Sequence, residues 1–227
     1  MISFQAVTKK FSTNITALEG INLEIQNGEF IFLVGPSGAG KSTLLHLLTR
    51  EYKPSEGKII VNDLEPSKLK PSQIPDYRRR IGFVFQDFKL LDDRTVWENV
   101  ALALQVRGMP EAEIAKEVDR VLKLFEIWER RSLFPRQLSG GEAQRTAIAR
   151  AIVGKPSILL ADEPTGDLDP QTASSVIKLL EEVNSWGTTV LMATHNREIV
   201  DNAKRRVVTL KGGQIVKDTQ EGKYEVH

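Results

Sequence analysis

Residues 30–48 read FIFLVGPSGAGKSTLLHLL, an apolar run, a glycine-rich loop and a second apolar pattern in that order. The run from Phe30 leads into Gly35-Pro36-Ser37-Gly38-Ala39-Gly40-Lys41-Ser42, which fits G-x-x-x-x-G-K-[ST], and Thr43 follows. A strand before the loop and a helix after it are the setting in which this motif has chemical meaning. A polyphosphate needs several backbone N–H groups aimed inward together, and a Cβ at Gly35, Gly38 or Gly40 would obstruct that curl. The helix expected to start near Lys41 adds the positive end of its dipole. Lys41 supplies a cation for the β- and γ-phosphates, and the Ser42 hydroxyl is placed to ligand Mg²⁺. A bare glycine turn between a strand and a helix is the alternative, and it leaves the Lys-Ser ending unexplained. The stretch predicts a nucleoside triphosphate site.

The rest of the chain bounds what surrounds that site. Its 227 residues suffice for a sizeable core and are compatible with one large α/β domain. With 41% hydrophobic and 27% charged residues it is not a disordered composition. A net charge of +1 makes no global electrostatic case for nucleic acid or anionic lipid, so no nucleic-acid partner is expected. The absence of cysteine excludes disulfides and thiolate metal sites and fits a reducing compartment. No apolar run approaches the roughly 18 residues of a membrane span. The N-terminal MISFQAVTKKF lacks the basic-then-apolar order of a signal peptide. The expected location is cytoplasmic, with any membrane role reached through a partner.

Working outward from the loop, residues 2–7 and 21–25 alternate as strands, with a turn at Asn27-Gly28, and predict a short antiparallel sheet. Residues 58–61 and 81–85 read as further strands, and Arg78-Arg79-Arg80 between them as a solvated face. Residues 96–106 and 111–125 carry apolar residues at helical spacing, separated by Gly108-Met109-Pro110. They predict a helical subdomain, approximately 90–150, inserted into the α/β core, with Trp97, Phe125 and Trp128 as packing residues. Residues 157–161 and 188–193 are short buried-strand patterns. Between them Asp169-Pro170 caps a helix over about 171–184 that stops before Gly187. The tail reads as a hairpin around Lys211-Gly212-Gly213. Strands alternating with helices imply a mostly parallel sheet.

Two further stretches carry chemistry. Ser157 to Glu163, SILLADE, is an apolar strand ending in two acids. A carboxylate at a strand end beside the phosphate loop reaches Mg²⁺, the role expected of Asp162. Adjacent strand residues point opposite ways unless the backbone turns, and Glu163 then faces the attacking water as general base. The other stretch is Leu138-Ser139-Gly140-Gly141-Glu142, where Ser139 and Glu142 fit a capping box at the start of a helix. Gly140-Gly141 leaves the free N–H groups of that helix open to an anion, and one serine can both cap and bind.

LSGGEAQR, residues 138–145, resembles the signature of ATP-binding-cassette ATPases. The family's other motifs stand in its order: GPSGAGKST, Gln86 in VFQD, the signature, LLADEP, Gly166-Asp167-Leu168-Asp169, and His195 in ATHN. The likeness covers essentially the whole chain. It implies an α/β fold, a P-loop NTPase ATP-binding cassette with an antiparallel β subdomain and an inserted helical subdomain, that binds and hydrolyses ATP with Mg²⁺. It also implies an ATP-dependent head-to-tail homodimer in which Ser139, Gly140 and Gly141 of one copy touch the γ-phosphate held by the other. By the same resemblance His195 senses the γ-phosphate, Gln86 meets Mg²⁺ and the attacking water, Asp169 belongs to the nucleotide site, and Phe11 stacks on adenine, with a loop-like Ser12-Thr13-Asn14 after it. Ala143 stands where close relatives often have Gln, and Asp167 replaces a common Asn and adds a charge near the dimer seam. RRRIGFVFQDFKLL, residues 78–91, and TTVLMATHN, residues 188–196, are most similar to the family's cell-division subunits. Those work with an integral membrane partner, expected here to dock near residues 85–97, where Phe88, Leu90 and Leu91 flank charged residues. Exporter and lipoprotein-release subunits share the ADEPTG and LSGGE segments and are the alternative. A soluble ATP-switched module would call for tandem cassettes or a long coiled-coil insertion, and neither is present.

Overall fold

A computed structural model describes residues 1–11 and 15–224, so the loop expected at 12–14 and the last residues of the tail lie outside the described residues. Strand β1 (Ile2–Lys10) pairs antiparallel with β2 (Thr16–Ile25). Strand β3 (Phe30–Val34), buried at every residue, then delivers the phosphate loop to helix α1 (Lys41–Leu48). Strand β4 (Glu56–Val61) returns to pair antiparallel with β1, which gives a three-stranded sheet in the order β2-β1-β4. This is the expected antiparallel unit, enlarged by one strand.

Helix α2 (Ile74–Arg78) and strand β5 (Ile81–Val84) follow, then α3 (Val96–Gln105), α4 (Glu111–Leu124) and α5 (Gly140–Ile152). The chain continues with β6 (Ile158–Asp162), α6 (Pro170–Ser185), β7 (Thr189–Ala193), α7 (Arg197–Ala203) and the hairpin β8 (Arg206–Lys211) and β9 (Gln214–Thr219). The larger sheet runs β5-β6-β7-β3-β8-β9, parallel except for its last pair. Strands buried on both faces carry no polar alternation, which is why β3, β6 and β7 read as unbroken apolar runs.

The period-two geometry of β3 divides the core. Phe30, Phe32 and Val34 pack with the helical layer of α3, α4, α5 and α6, while Ile31 and Leu33 pack with α1 and the antiparallel sheet. Full burial of each such side chain contributes roughly 1.5–3 kcal/mol. Parallel pairing brings the C-terminal ends of β3, β6 and β7 side by side, the position at which open α/β sheets hold ligands.

Among the expected packing residues, Phe125 is fully buried, and Trp97 donates its indole N–H to Asp119 at 3.1 Å. The Trp128 ring carries the Arg131 guanidinium 4.3 Å from its centre. The arginine triplet is exposed but is not merely solvated. Arg78 donates to the Thr49 carbonyl at 3.0 Å and Arg79 to the Val106 carbonyl at 2.8 Å, so they tie α2 to the ends of α1 and α3. Asn99 is completely buried on α3; its Oδ1 accepts from the Leu91 N–H and its amide donates to the Leu91, Arg94 and Thr95 carbonyls. Among the described residues no helix is long and apolar enough to cross a membrane.

The hairpin end of the sheet is fastened by Arg206, which donates to Glu29 at 2.9 Å, to the Glu24 carbonyl at 2.9 Å, and to both carboxylate oxygens of Asp218. The Asp218 and Glu29 carboxylates hold the guanidinium well above its ordinary pKa, against the opposing effect of burial. Arg206→Met strands both acids and should cost about 2–3 kcal/mol, less than a fully buried pair because Asp218 keeps access to solvent. A thermal melt should show Tm falling by roughly 4–12 °C.

Candidate active site

The phosphate loop owes its shape to two glycines in particular. At Gly35, φ is +150° and a Cβ would lie 2.2 Å from the Leu210 carbonyl oxygen. At Gly40, the N-cap of α1, φ is +104° and a Cβ would meet the Ala17 carbonyl and Leu18 at 2.6 Å. Gly38 differs from expectation, since a Cβ there meets nothing within 4 Å and only its positive φ asks for glycine. The loop closes one side of a cavity of about 490 Å³ lined by Ser37 through Thr43, with Ala17, Gln86, Glu163 and His195 around the rest. Gly35 and Pro36 do not line it; their carbonyls accept from Lys41 Nζ at 2.9 and 3.3 Å.

Asp162 ends β6 and accepts from the Ser42 hydroxyl at 3.0 Å. At Glu163 the backbone leaves the strand with φ +48°, the turn needed for two adjacent acids to serve one site. Glu163 Oε2 accepts from the His195 backbone N–H at 3.2 Å and lies 2.8 Å from its Nδ1, while Oε1 stands 3.6 Å from Lys41 Nζ. Both oxygens of this nearly buried carboxylate are thus engaged, one by the loop lysine and one by the histidine. Ser42 and Asp162, with the Gln86 carboxamide on the cavity wall, form a hard oxygen donor set of the kind Mg²⁺ takes. Among the described residues no cluster of three acids or imidazoles could hold a metal alone, as suits a cation whose remaining ligands are phosphates and water.

The loop after Gln86 is held from the far side. Phe88 and Lys89 both have positive φ, and their carbonyls accept from Arg150 of α5 at 2.7 and 2.6 Å. Burial pushes the Arg150 pKa down, so these carbonyls are what compensate its charge. Sequence reading missed Arg150, because its role depends on a contact 61 residues away.

The other expected residues lie elsewhere. Ser139 caps α5, with its hydroxyl and N–H both 2.9 Å from Glu142. Arg130 at 2.6 Å first, and the Ser139 N–H after it, hold the Glu142 carboxyl below the ordinary range. Gly141 has a packing reason as well, since a Cβ there would stand 2.7 Å from Thr172 on α6. Ser139, Gly140 and Gly141 do not line the phosphate cavity of their own chain. Asp169 is committed as the N-cap of α6, accepting from the Gln171 and Thr172 N–H groups at 3.0 Å, and is likewise outside the cavity. Phe11 also stands outside it, edge-on to Tyr52 at 5.2 Å with Lys9 Nζ 5.0 Å from its ring centre.

With this geometry in place, the comparisons with known proteins decide the family. The family model described as ABC transporter matches residues 18–166, from early in β2 through the turn after Glu163. The chain belongs to the ABC transporter family. As an ABC ATPase it is 50% identical over 224 residues to the cell division ATP-binding protein FtsE of Bacillus subtilis, covering 99% of this chain and 98% of the relative. It is 48% identical to FtsE of Mycobacterium tuberculosis, over 99% of this chain and 98% of that one. FtsE of Escherichia coli is 45% identical over 95% of this chain and 97% of its own. Among solved structures, the dimeric post-hydrolysis state of the ATP-binding cassette MJ0796, bound to ADP and Pi, matches with TM-score 0.90. The identity there is 36%, over 99% of this chain and 100% of that one. The expected cassette, with its antiparallel and parallel sheets, is the fold found.

Proposed function

We propose that this ABC ATPase is the ATP-hydrolysing subunit of a cell-division complex. In this reading it drives an FtsX-like integral membrane partner that regulates cell-wall hydrolysis, and it sits peripherally on the cytoplasmic face of the cell membrane through that partner. The observation that carries the chemistry is the Glu163 carboxylate, turned out of β6 toward the phosphate cavity between Lys41 and His195. The cell-division assignment rests on the likeness to FtsE along nearly the whole chain.

The chain's own residues divide the work. Lys41 donates to the Gly35 and Pro36 carbonyls and pairs with Glu163. A γ-phosphate entering the loop offers Lys41 a stronger anion and so frees Glu163 Oε1 to take a proton from water. His195, on the other carboxylate oxygen, fixes the orientation of that base. Ser42 and Asp162, with Gln86 beside them, would hold Mg²⁺, which would supply positive charge against the phosphates. Ser139, Gly140 and Gly141 lie at the start of α5 and outside their own cavity, an arrangement suited to a second copy in which they complete its site. Asp169 then acts on the nucleotide through the cap that sets α6, and Phe11 offers adenine the face not held by Lys9 and Tyr52.

The membrane partner fits a groove of about 520 Å³ beside the edge strand β5. Phe85 and Lys89 line it as expected, whereas Phe88, Leu90 and Leu91 do not; Leu102 of α3 and Val106, which caps that helix, take their place. The cations Arg78, Arg79, Lys89, Arg107 and Arg150 face it and, among the described residues, no carboxylate does, which suits an apolar docking segment that carries acids. To test the reading, tagged Glu163→Gln protein is trapped with ATP in its own cells and the co-purifying membrane protein identified. A subunit with few spans and a large outer loop is expected. An exporter-type permease would move the function to transport, and no membrane partner at all would remove the complex.

A further inference from the structure

Beyond β9 the chain turns back toward α7. Gly222 donates its N–H to the Arg205 carbonyl at 3.1 Å and fits so closely that a Cβ would stand 2.6 Å from the Val207 Cβ. Two residues on, the Tyr224 N–H donates to Asp201 Oδ1 of α7 at 2.7 Å. Asp201 also accepts from Arg197 Nε, at 3.3 Å, so it joins this strap to the first turn of the helix. Tyr224 is partly buried against the large apolar cluster to which Val200 of α7 belongs, and Ile199 and Ala203 of the same helix pack on that cluster too. Burial first, and then the negative charge of Glu163, raise the Tyr224 phenol above its ordinary pKa.

Helix α7 depends on such contacts. It has seven residues, far below the length at which a helix holds by itself, and it starts two residues after His195. Asn196 caps it by accepting from the Ile199 N–H at 3.2 Å, so any shift of the helix is passed to His195 next to the cap.

We propose that residues 222–224 form a positioning strap for ATP hydrolysis, holding α7 through Asp201 and the Tyr224 ring so that His195 stays against Glu163. This rests on the reading of Glu163 and His195 as groups acting at the phosphate. Tyr224 is a positioning residue, since it acts through the helix and not on the nucleotide.

The test uses the full chain and steady-state ATP hydrolysis. Tyr224→Ala removes the ring, and Gly222→Val lifts the strap while leaving Tyr224 in place. Both should lower kcat about tenfold, as displacement of a catalytic group by a fraction of an ångström does, with KM for ATP unchanged within twofold. Tyr224→Phe should keep wild-type kcat, because the contacts are the ring and the backbone N–H. Amide exchange across α7 should quicken in the first two variants and not in the third. If either fails to fold, Asp201→Ala removes only the acceptor of the strap and the Arg197 pair, and should show the same split. Unchanged kcat in the folded strap variants overturns the proposal, as does a loss that appears in KM. His195→Ala separates this from the underlying reading. If that variant loses turnover and the strap variants do not, only the strap is wrong; if it keeps full turnover, the role given to His195 is wrong.

Discussion

Glu163→Gln should reduce ATP turnover by about 10²–10⁴-fold while leaving ATP affinity within a few-fold of wild type. The amide keeps the size of the carboxylate and can still meet His195, but it cannot accept a proton from water. It also carries no charge, so it no longer competes with the phosphates for Lys41, which stands 3.6 Å from Oε1. Binding should therefore hold or tighten while hydrolysis stops, and with the head-to-tail arrangement the protein should accumulate as an ATP-bound dimer. Single-turnover hydrolysis and light scattering with ATP measure the two effects separately. Turnover within threefold of wild type would remove Glu163 as the base.

Lys41→Met should act in the opposite way, on binding before chemistry. The Lys41 side chain is 8% exposed, and its ammonium makes its hydrogen bonds to the loop's own Gly35 and Pro36 carbonyls. A charged hydrogen bond to phosphate is worth roughly 1.5–3 kcal/mol net, which corresponds to about a 10–150-fold rise in the Kd for ATP. The fold should survive, because methionine fills the same channel with apolar volume. Equilibrium titration with a fluorescent ATP analogue checks the affinity, and a thermal melt checks the fold. A Kd within twofold of wild type would mean that the phosphates do not reach Lys41.

These expectations draw on a site most of which was legible before the fold was known. Gly35 to Thr43 is contiguous, and its chemistry lies in local backbone shape, so a single stretch discloses it. The strand ending in Asp162-Glu163 was legible for the same reason, yet only the positive φ at Glu163 shows how adjacent acids reach one cavity. The capping box at Ser139 and the cap at Asp169 follow from spacing within a turn. What the sequence hid is non-local. The pairing of Lys41 with Glu163, the hold of Arg206 on Glu29 and Asp218, and the buried Asn99 join positions whose separation carries no pattern. The groove shows the same limit: its apolar wall was expected at Phe88, Leu90 and Leu91, but helical phase turns Leu102 of α3 and its C-cap Val106 to that surface instead.

The grip of Arg150 on the Phe88 and Lys89 carbonyls has a mechanical consequence. The arginine sits on the same rigid helix whose first turn is Gly140-Gly141-Glu142, so the loop bearing Gln86 and the signature are two ends of one lever. A force applied at the groove, which Arg150 and Lys89 also line, cannot move one end without the other. In the head-to-tail pair proposed above, those ends would serve different nucleotides, Gln86 the copy's own and the signature its neighbour's. One docking event on one subunit would then be felt at both hydrolysis sites in the same stroke.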